Sequence, residues 1–78
     1  MLSLYEIDND DSVIVEKLFL QENAKLRLSE MGVMQGTLVR MIKKSPFGGP
    51  VYLKVNNYYL CIRKDDALMI KVKKYDKT

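Results

Sequence analysis

The chain of 78 residues contains no histidine. That removes the commonest general base near neutral pH and the commonest transition-metal ligand. Cysteine is nearly as scarce: Cys61 stands alone, so there is no internal disulfide to form and no zinc or iron–sulfur ligand spacing to read. One unpaired thiol fits a reducing compartment. Cys61 lies between Leu60 and Ile62 in an apolar run and is expected to be a small packing residue. Long hydrophobic runs are missing as well. The longest span four or five residues, far short of the roughly 20 that a membrane helix needs. The opening residues Met1 to Glu6 show no basic region and no long apolar stretch, so no signal peptide is expected.

Other absences narrow the chemistry further. Gly48-Gly49 sits between Pro46 and Pro50 and is followed by a β-type run, so no phosphate-cradling loop opens a helix there. The polar cluster Asp8-Asn9-Asp10-Asp11 lacks the glycine of a calcium loop, and Phe19 occupies the position of its final glutamate. The acidic pairs Asp10-Asp11 and Asp65-Asp66 each fall in a turn with no coupled partner. No catalytic constellation emerges, and no tight one-to-one Fe(II) or Zn(II) site is expected. The chain reads as a binding module.

What is present is an ordinary globular composition, 47% hydrophobic and 29% charged. The length allows one domain, residues 1–78, with residues 74–78 expected as a frayed tail. Net charge is +3, with a cluster at Lys71, Lys73, Lys74 and Lys77. Such a cluster is either a solvated strand face or an attraction to an acidic partner, nucleic acid or an anionic membrane.

All four glycines and both prolines lie between Arg27 and Pro50. Ala24, Leu28 and Met31 recur at helical spacing, Asn23 is placed to cap, and Gly32 stands where a left-handed residue would stop the helix. This predicts a helix near residues 24–31. Gly36 suits a turn needing positive φ. β-type runs follow at Thr37–Lys44, Val51–Val55, Tyr58–Ile62 and Met69–Val72, with an earlier one at Ser12–Leu20. Val51, Leu53 and Val55 share one face, and Asn56-Asn57 makes a two-residue turn. Arg63–Leu68 reads as a single helical turn with an aspartate cap. About five short strands and one short helix make a small, mainly β, closed or partly closed barrel.

The ordered set Arg27-Leu28, Glu30-Met31-Gly32, Gly36, Val39, Met41, Pro46, Gly48 and Pro50, continued by Val55, Leu60, Arg63, Ala67, Ile70 and Val72, resembles the FeoA family of bacterial ferrous iron uptake. The resemblance covers nearly the whole chain. Gln35 departs from it, since the family usually has proline before the glycine. The resemblance implies an SH3-like barrel with the helix inserted after the first main strand. It implies a cytosolic accessory role and one partner, FeoB, a membrane ferrous iron transporter with a cytoplasmic GTPase domain. Iron and GTP would then belong to that partner, with no cofactor on this chain. The resemblance extends to the SH3-like domain of some metal-dependent regulators. A different reading of the basic balance, with tyrosines beside Lys54 and Arg63, is a barrel binding single-stranded nucleic acid.

The partner-binding residues expected on this basis are Leu26, Arg27, Lys43, Lys44 and Phe47. Leu26 falls off the apolar stripe of the helix among Lys25, Arg27, Ser29 and Glu30. Phe47 stands at the tip of a proline-flanked loop, either plugging the barrel or presented to a partner. Lys43 and Lys44 could steer an acidic surface toward it. Gly32, Gly36, Pro46, Gly48 and Pro50 are expected as structural turn residues.

Overall fold

A computed structural model describes residues 2–75. Its elements in order are β1 (Leu2–Ser3), a 3₁₀ turn (Leu4–Glu6), β2 (Ser12–Leu18), α1 (Glu22–Glu30), β3 (Leu38–Lys44), β4 (Val51–Val55), β5 (Tyr58–Ile62), α2 (Lys64–Leu68) and β6 (Ile70–Lys74). The six strands form one antiparallel sheet in the order β1-β6-β2-β3-β4-β5. The sheet is bulged twice, between Val15 and Lys17 against β6 and between Met41 and Lys43 against β4. An extra residue on one side bends a strand and increases its twist, which curls a short sheet around a single core.

That core follows from strand alternation. Val13 and Val15 on β2, Val39 and Met41 on β3, and Val51, Leu53 and Val55 on β4 are all buried. Ile62, Ile70 and Val72 join them, with Leu4 and Ile7 from the N-terminal turn, Leu28 from α1 and Ala67 from α2. The predicted inward face of β4 is therefore the observed one. On β5 Ile62 is buried and Leu60 is packed against the core. Tyr58 lies at the surface, but its hydroxyl donates to the Met31 carbonyl.

Helix α1 starts two residues earlier than the spacing predicted. Gln21, extended at φ −66 and ψ 157, is the residue before its first turn, so Asn23 lies inside the helix and does not cap it. Glu22 takes over the favourable first-turn position, where a carboxylate meets the positive end of the helix dipole. The other end is as expected. Gly32 has φ +92. Its N–H donates to the Ser29 carbonyl at 3.0 Å and the Val33 N–H donates to the Leu28 carbonyl at 2.8 Å. These two bonds satisfy carbonyls that the helix leaves open, and the buried pair Leu28 and Val33 closes the accompanying apolar contact.

Other boundaries shift. β2 ends at Leu18, because Phe19 and Leu20 leave the ladder, although the Phe19 N–H still donates to the Met69 carbonyl at 2.8 Å. The turn Arg63–Leu68 is a helix with Arg63 at its cap and no side-chain cap bond; Asp65 and Asp66 sit in its first turn instead. Lys74, expected in a frayed tail, is ordered, and residues 76–78 of that expected tail lie outside the described residues. Lys74 is the last residue of β6, and the Tyr75 N–H donates to the Ser12 carbonyl at 2.9 Å. Lys77 lies outside the described residues. Cys61 is exposed, correcting its expected packing role, because β5 alternation turns it to the outer face with Tyr59.

Two measurements test this framework. A Cβ at Gly32 would need the left-handed backbone and would also run into the Tyr58 hydroxyl. Gly32→Val is expected to cost about 1 kcal/mol or more, lowering the melting temperature by about 4–8 °C. An unchanged melting temperature would contradict this helix end. At the N-terminal turn the Ser3 N–H donates to Glu6 Oε1 at 2.8 Å. That bond holds the Glu6 carboxyl below its ordinary pKa. The stabilisation is therefore present above the unfolded carboxylate pKa and is lost as pH falls through the lowered folded value. Glu6→Gln should flatten the acid limb of stability against pH; an identical limb in both proteins would show the bond to be inconsequential.

Candidate docking surface

Among the described residues there is no cluster of three or more His, Cys, Asp or Glu side chains able to hold a metal ion. Among the same residues no helix is long and apolar enough to cross a membrane. What the fold does present is apolar side chains on its outside. Leu26 is 61% exposed on the outer side of α1. Beside it an open groove of about 590 Å³ is lined by Phe19 and Met34, together with Lys17, Glu22 and Lys25. Phe19 is 54% and Met34 47% exposed. Phe19 reaches this place because it follows the last residue of β2, and Met34 because it follows the Gly32 stop. Lys17 Nζ lies 5.9 Å from the centre of the Phe19 ring, and Lys25 pairs with Glu22 at 3.7 Å, so the apolar floor has a charged rim.

Arg27 faces a different recess. With Ala24, Leu28, Met31, Cys61 and Arg63 it lines a furrow of about 240 Å³ between α1 and the end of β5. Cys61 and Arg63 also line a second furrow of about 390 Å³, bounded by Gly48, Gly49, Pro50 and Lys64. The path from α1 to the β3–β4 loop thus runs past Arg27, Cys61 and Arg63. Leu26 lines a separate groove with Phe19 and Met34. Of the helix and the loop expected to act together, the helix furrow holds Arg27 and the loop furrow does not; the two furrows share only Cys61 and Arg63.

The loop Ser45–Pro50 is closed by the Ser45 N–H donating to the Pro50 carbonyl at 2.9 Å. At its tip Phe47 has φ +58 and is 104% exposed. Of the two placements left open by the sequence, the plug is not observed: the ring lies outside the barrel. A bulky residue in the left-handed region costs about 1 kcal/mol, and here no burial of the ring offsets it. Pro46 and Gly48 flank it, Gly48 with φ +75. Bulky residues held in this way tend to cluster at active sites, ligand clamps and switch regions.

The two lysines before the loop differ. Lys43 is exposed, with Nζ 5.5 Å from the Tyr52 ring centre. Lys44 is half-buried, donates to the Tyr5 carbonyl at 3.2 Å and sits 5.6 Å from the Tyr5 ring centre. Lys64 approaches the same ring at 5.2 Å. Lys44 therefore ties β3 to the N-terminal turn, which limits its reach toward a partner, while Lys43 remains at the surface. Sequence reasoning missed Phe19 and Met34. Phe19 falls in the expected strand Ser12–Leu20 and Met34 is given no role, yet both are large apolar residues beside a structural stop, which is the signal that identifies them.

The FeoA domain family model matches residues 2–74. The chain belongs to the FeoA family. A curated relative from Porphyromonas gingivalis, an Fe(2+) transport protein A/Fe(2+) transporter FeoB fusion protein, is 25% identical over 71 residues. Those residues are 91% of this chain but only 8% of the relative's length. The crystal structure of Stenotrophomonas maltophilia FeoA complexed with zinc, a prokaryotic SH3 domain protein, is 28% identical with a TM-score of 0.75, covering 94% of this chain and 91% of that one. The metal-bound protein ScaR shares the fold with a TM-score of 0.85 at 20% identity, covering 96% of this chain and 37% of ScaR. The SH3-like fold and the association with ferrous iron transport are thus properties of the family to which the chain belongs.

Because Phe47 keeps an unfavourable backbone in the open, replacing it should relieve strain. Phe47→Gly is expected to raise stability by roughly 0.5–1 kcal/mol, since glycine adopts positive φ freely but gains entropy when unfolded. A lowered melting temperature would mean that the ring packs on the barrel after all.

Proposed function

We propose that this chain is a docking accessory of a FeoB-type membrane ferrous iron transporter, acting from the cytoplasm on the transporter's GTP-binding portion. The observation that carries the reading is the single polypeptide that joins the two modules in Porphyromonas gingivalis. Modules held together covalently in one protein meet at high effective concentration, and a free-standing partner needs a surface to achieve the same encounter. The candidate surface has the parts required. Leu26, with Phe19 and Met34, offers an apolar anchor site with a charged rim. Phe47 offers a rigid aromatic anchor on a loop already ordered by its prolines and its closing hydrogen bond, so little entropy is lost on binding. Arg27 and Lys43 supply positive charge near the two anchors, and Lys44 fixes the base of the loop. In this reading iron and GTP are handled by the transporter, and the chain contributes contact and orientation with no chemistry of its own.

The test is binding of the purified chain to a FeoB transporter held in neutral detergent, with melting temperatures measured in parallel. Leu26→Gln and Phe47→Ala are each expected to weaken binding about tenfold or more while leaving the fold intact. Failure of the unsubstituted chain to bind would overturn the proposal. Unchanged affinity in both variants would remove these residues from the contact surface.

A further inference from the structure

Acidic side chains are absent from the middle of the chain. From Met31 to Lys64 there are six basic residues, Arg40, Lys43, Lys44, Lys54, Arg63 and Lys64, and no aspartate or glutamate. Strands β3, β4 and β5 all fall in this stretch. Their buried residues Val39, Met41, Val51, Leu53 and Val55 point to the core, so the residues between them form the outer face. Register places that face in rows. Arg40 lies beside Lys54, which lies beside Tyr59; Lys43 lies beside Tyr52, which lies beside Cys61.

The first row holds two like charges directly opposite each other, an arrangement that costs stability in a sheet. Asp10 offsets part of it, with a carboxylate oxygen 3.3 Å from the Arg40 guanidinium. Among the described residues Lys43 and Lys54 have no carboxylate within ion-pair distance. Both instead lie against tyrosine rings, Lys43 Nζ 5.5 Å from Tyr52 and Lys54 Nζ 5.8 Å from Tyr59. Nothing in the barrel requires this face to be basic. Among the described residues its only carboxylate partner is Asp10 on Arg40, so Lys43 and Lys54 are left to meet an external anion.

We propose that the outer face of β3–β5 rests on an anionic phospholipid surface. Lysines at the headgroup level gain from the negative surface potential, and tyrosine rings with an apolar body and a polar hydroxyl suit the same layer. A single-stranded nucleic acid is the weaker fit. Each ring already carries an ammonium over it, and base stacking competes with that contact, whereas headgroup binding uses ammonium and ring together. Contact with the bilayer would confine the chain to the plane in which a membrane transporter is found. This face is distinct from the Leu26 groove, and the inference holds whether or not the chain docks on a transporter.

The experiment is co-sedimentation of the intact chain with vesicles, without any transporter. One set is pure phosphatidylcholine; the other contains phosphatidylglycerol as well. Binding is expected only to the second set and should weaken as salt is raised. Lys54→Gln should lower the partition coefficient about fivefold and Lys54→Glu about 25-fold, from the usual gain per basic residue at an anionic surface. Neither variant should melt lower than the original, because each removes a like-charge contact with Arg40. Equal binding to both vesicle sets, no binding to anionic vesicles at low salt, or unchanged partition of Lys54→Glu would overturn the proposal. So would retention on a single-stranded oligonucleotide in preference to the anionic vesicles.

Discussion

The left-handed residue at Gly32 is the constraint on which the rest of the molecule depends. At that point a helix must stop, release its last carbonyls to defined partners, and return the chain to a sheet within a few residues. The two bonds from Gly32 and Val33 to Ser29 and Leu28 end the helix. The Tyr58 hydroxyl takes the Met31 carbonyl and so fastens the helix end to β5, far away in sequence. The returning segment is held by the Gly36 N–H on the Val15 carbonyl at 2.8 Å and the Val15 N–H on the Thr37 carbonyl at 2.9 Å. Helix position, the start of β3 and the placement of Met34 at the surface all follow from that one turn.

The apolar grooves and the loop gain their character from the same economy of size. A barrel this small buries its core mainly with alternate residues of β2, β3 and β4 and has little interior left. Large side chains that do not fit inside are left on the outside, at the breaks between elements. Phe19 follows the end of β2, Met34 follows the helix stop, and Phe47 sits at the turn between β3 and β4. Recognition in such a fold falls to its seams, where loops are held by a rigid scaffold.

The sequence made the strands and their inward faces legible wherever alternation was clean. Val51, Leu53 and Val55 are the clearest case, and the Asn56-Asn57 turn fixed the partner of that strand with Asn56 at φ +55. The helix end was legible because only glycine takes positive φ without strain. The helix start was not: Gln21 caps with its backbone conformation alone, and no side chain announces it. β1 is two residues long and owes its existence to pairing with β6, a distant contact that no local pattern encodes. Of the candidate surface, Phe47 and Leu26 were visible as apolar residues out of place. That Leu26 and Arg27 open onto separate recesses depends on how α1 sits over β5, which only tertiary packing decides. Cys61 was misread because a short apolar run resembles a strand buried on both faces, whereas this one is buried on one.

The pairing of β1 with β6 has a consequence for how the domain is used. Leu2 lies opposite Val72, so the chain enters and leaves the barrel at nearly the same place. A module with adjacent entry and exit behaves like a bead clipped to a string at one point. It can be tethered at either side to a longer polypeptide without threading a linker across its surfaces, and its grooves and its basic face stay free of the tether. The same fold occurring both as part of a transporter fusion and within the longer chain of ScaR fits that geometry.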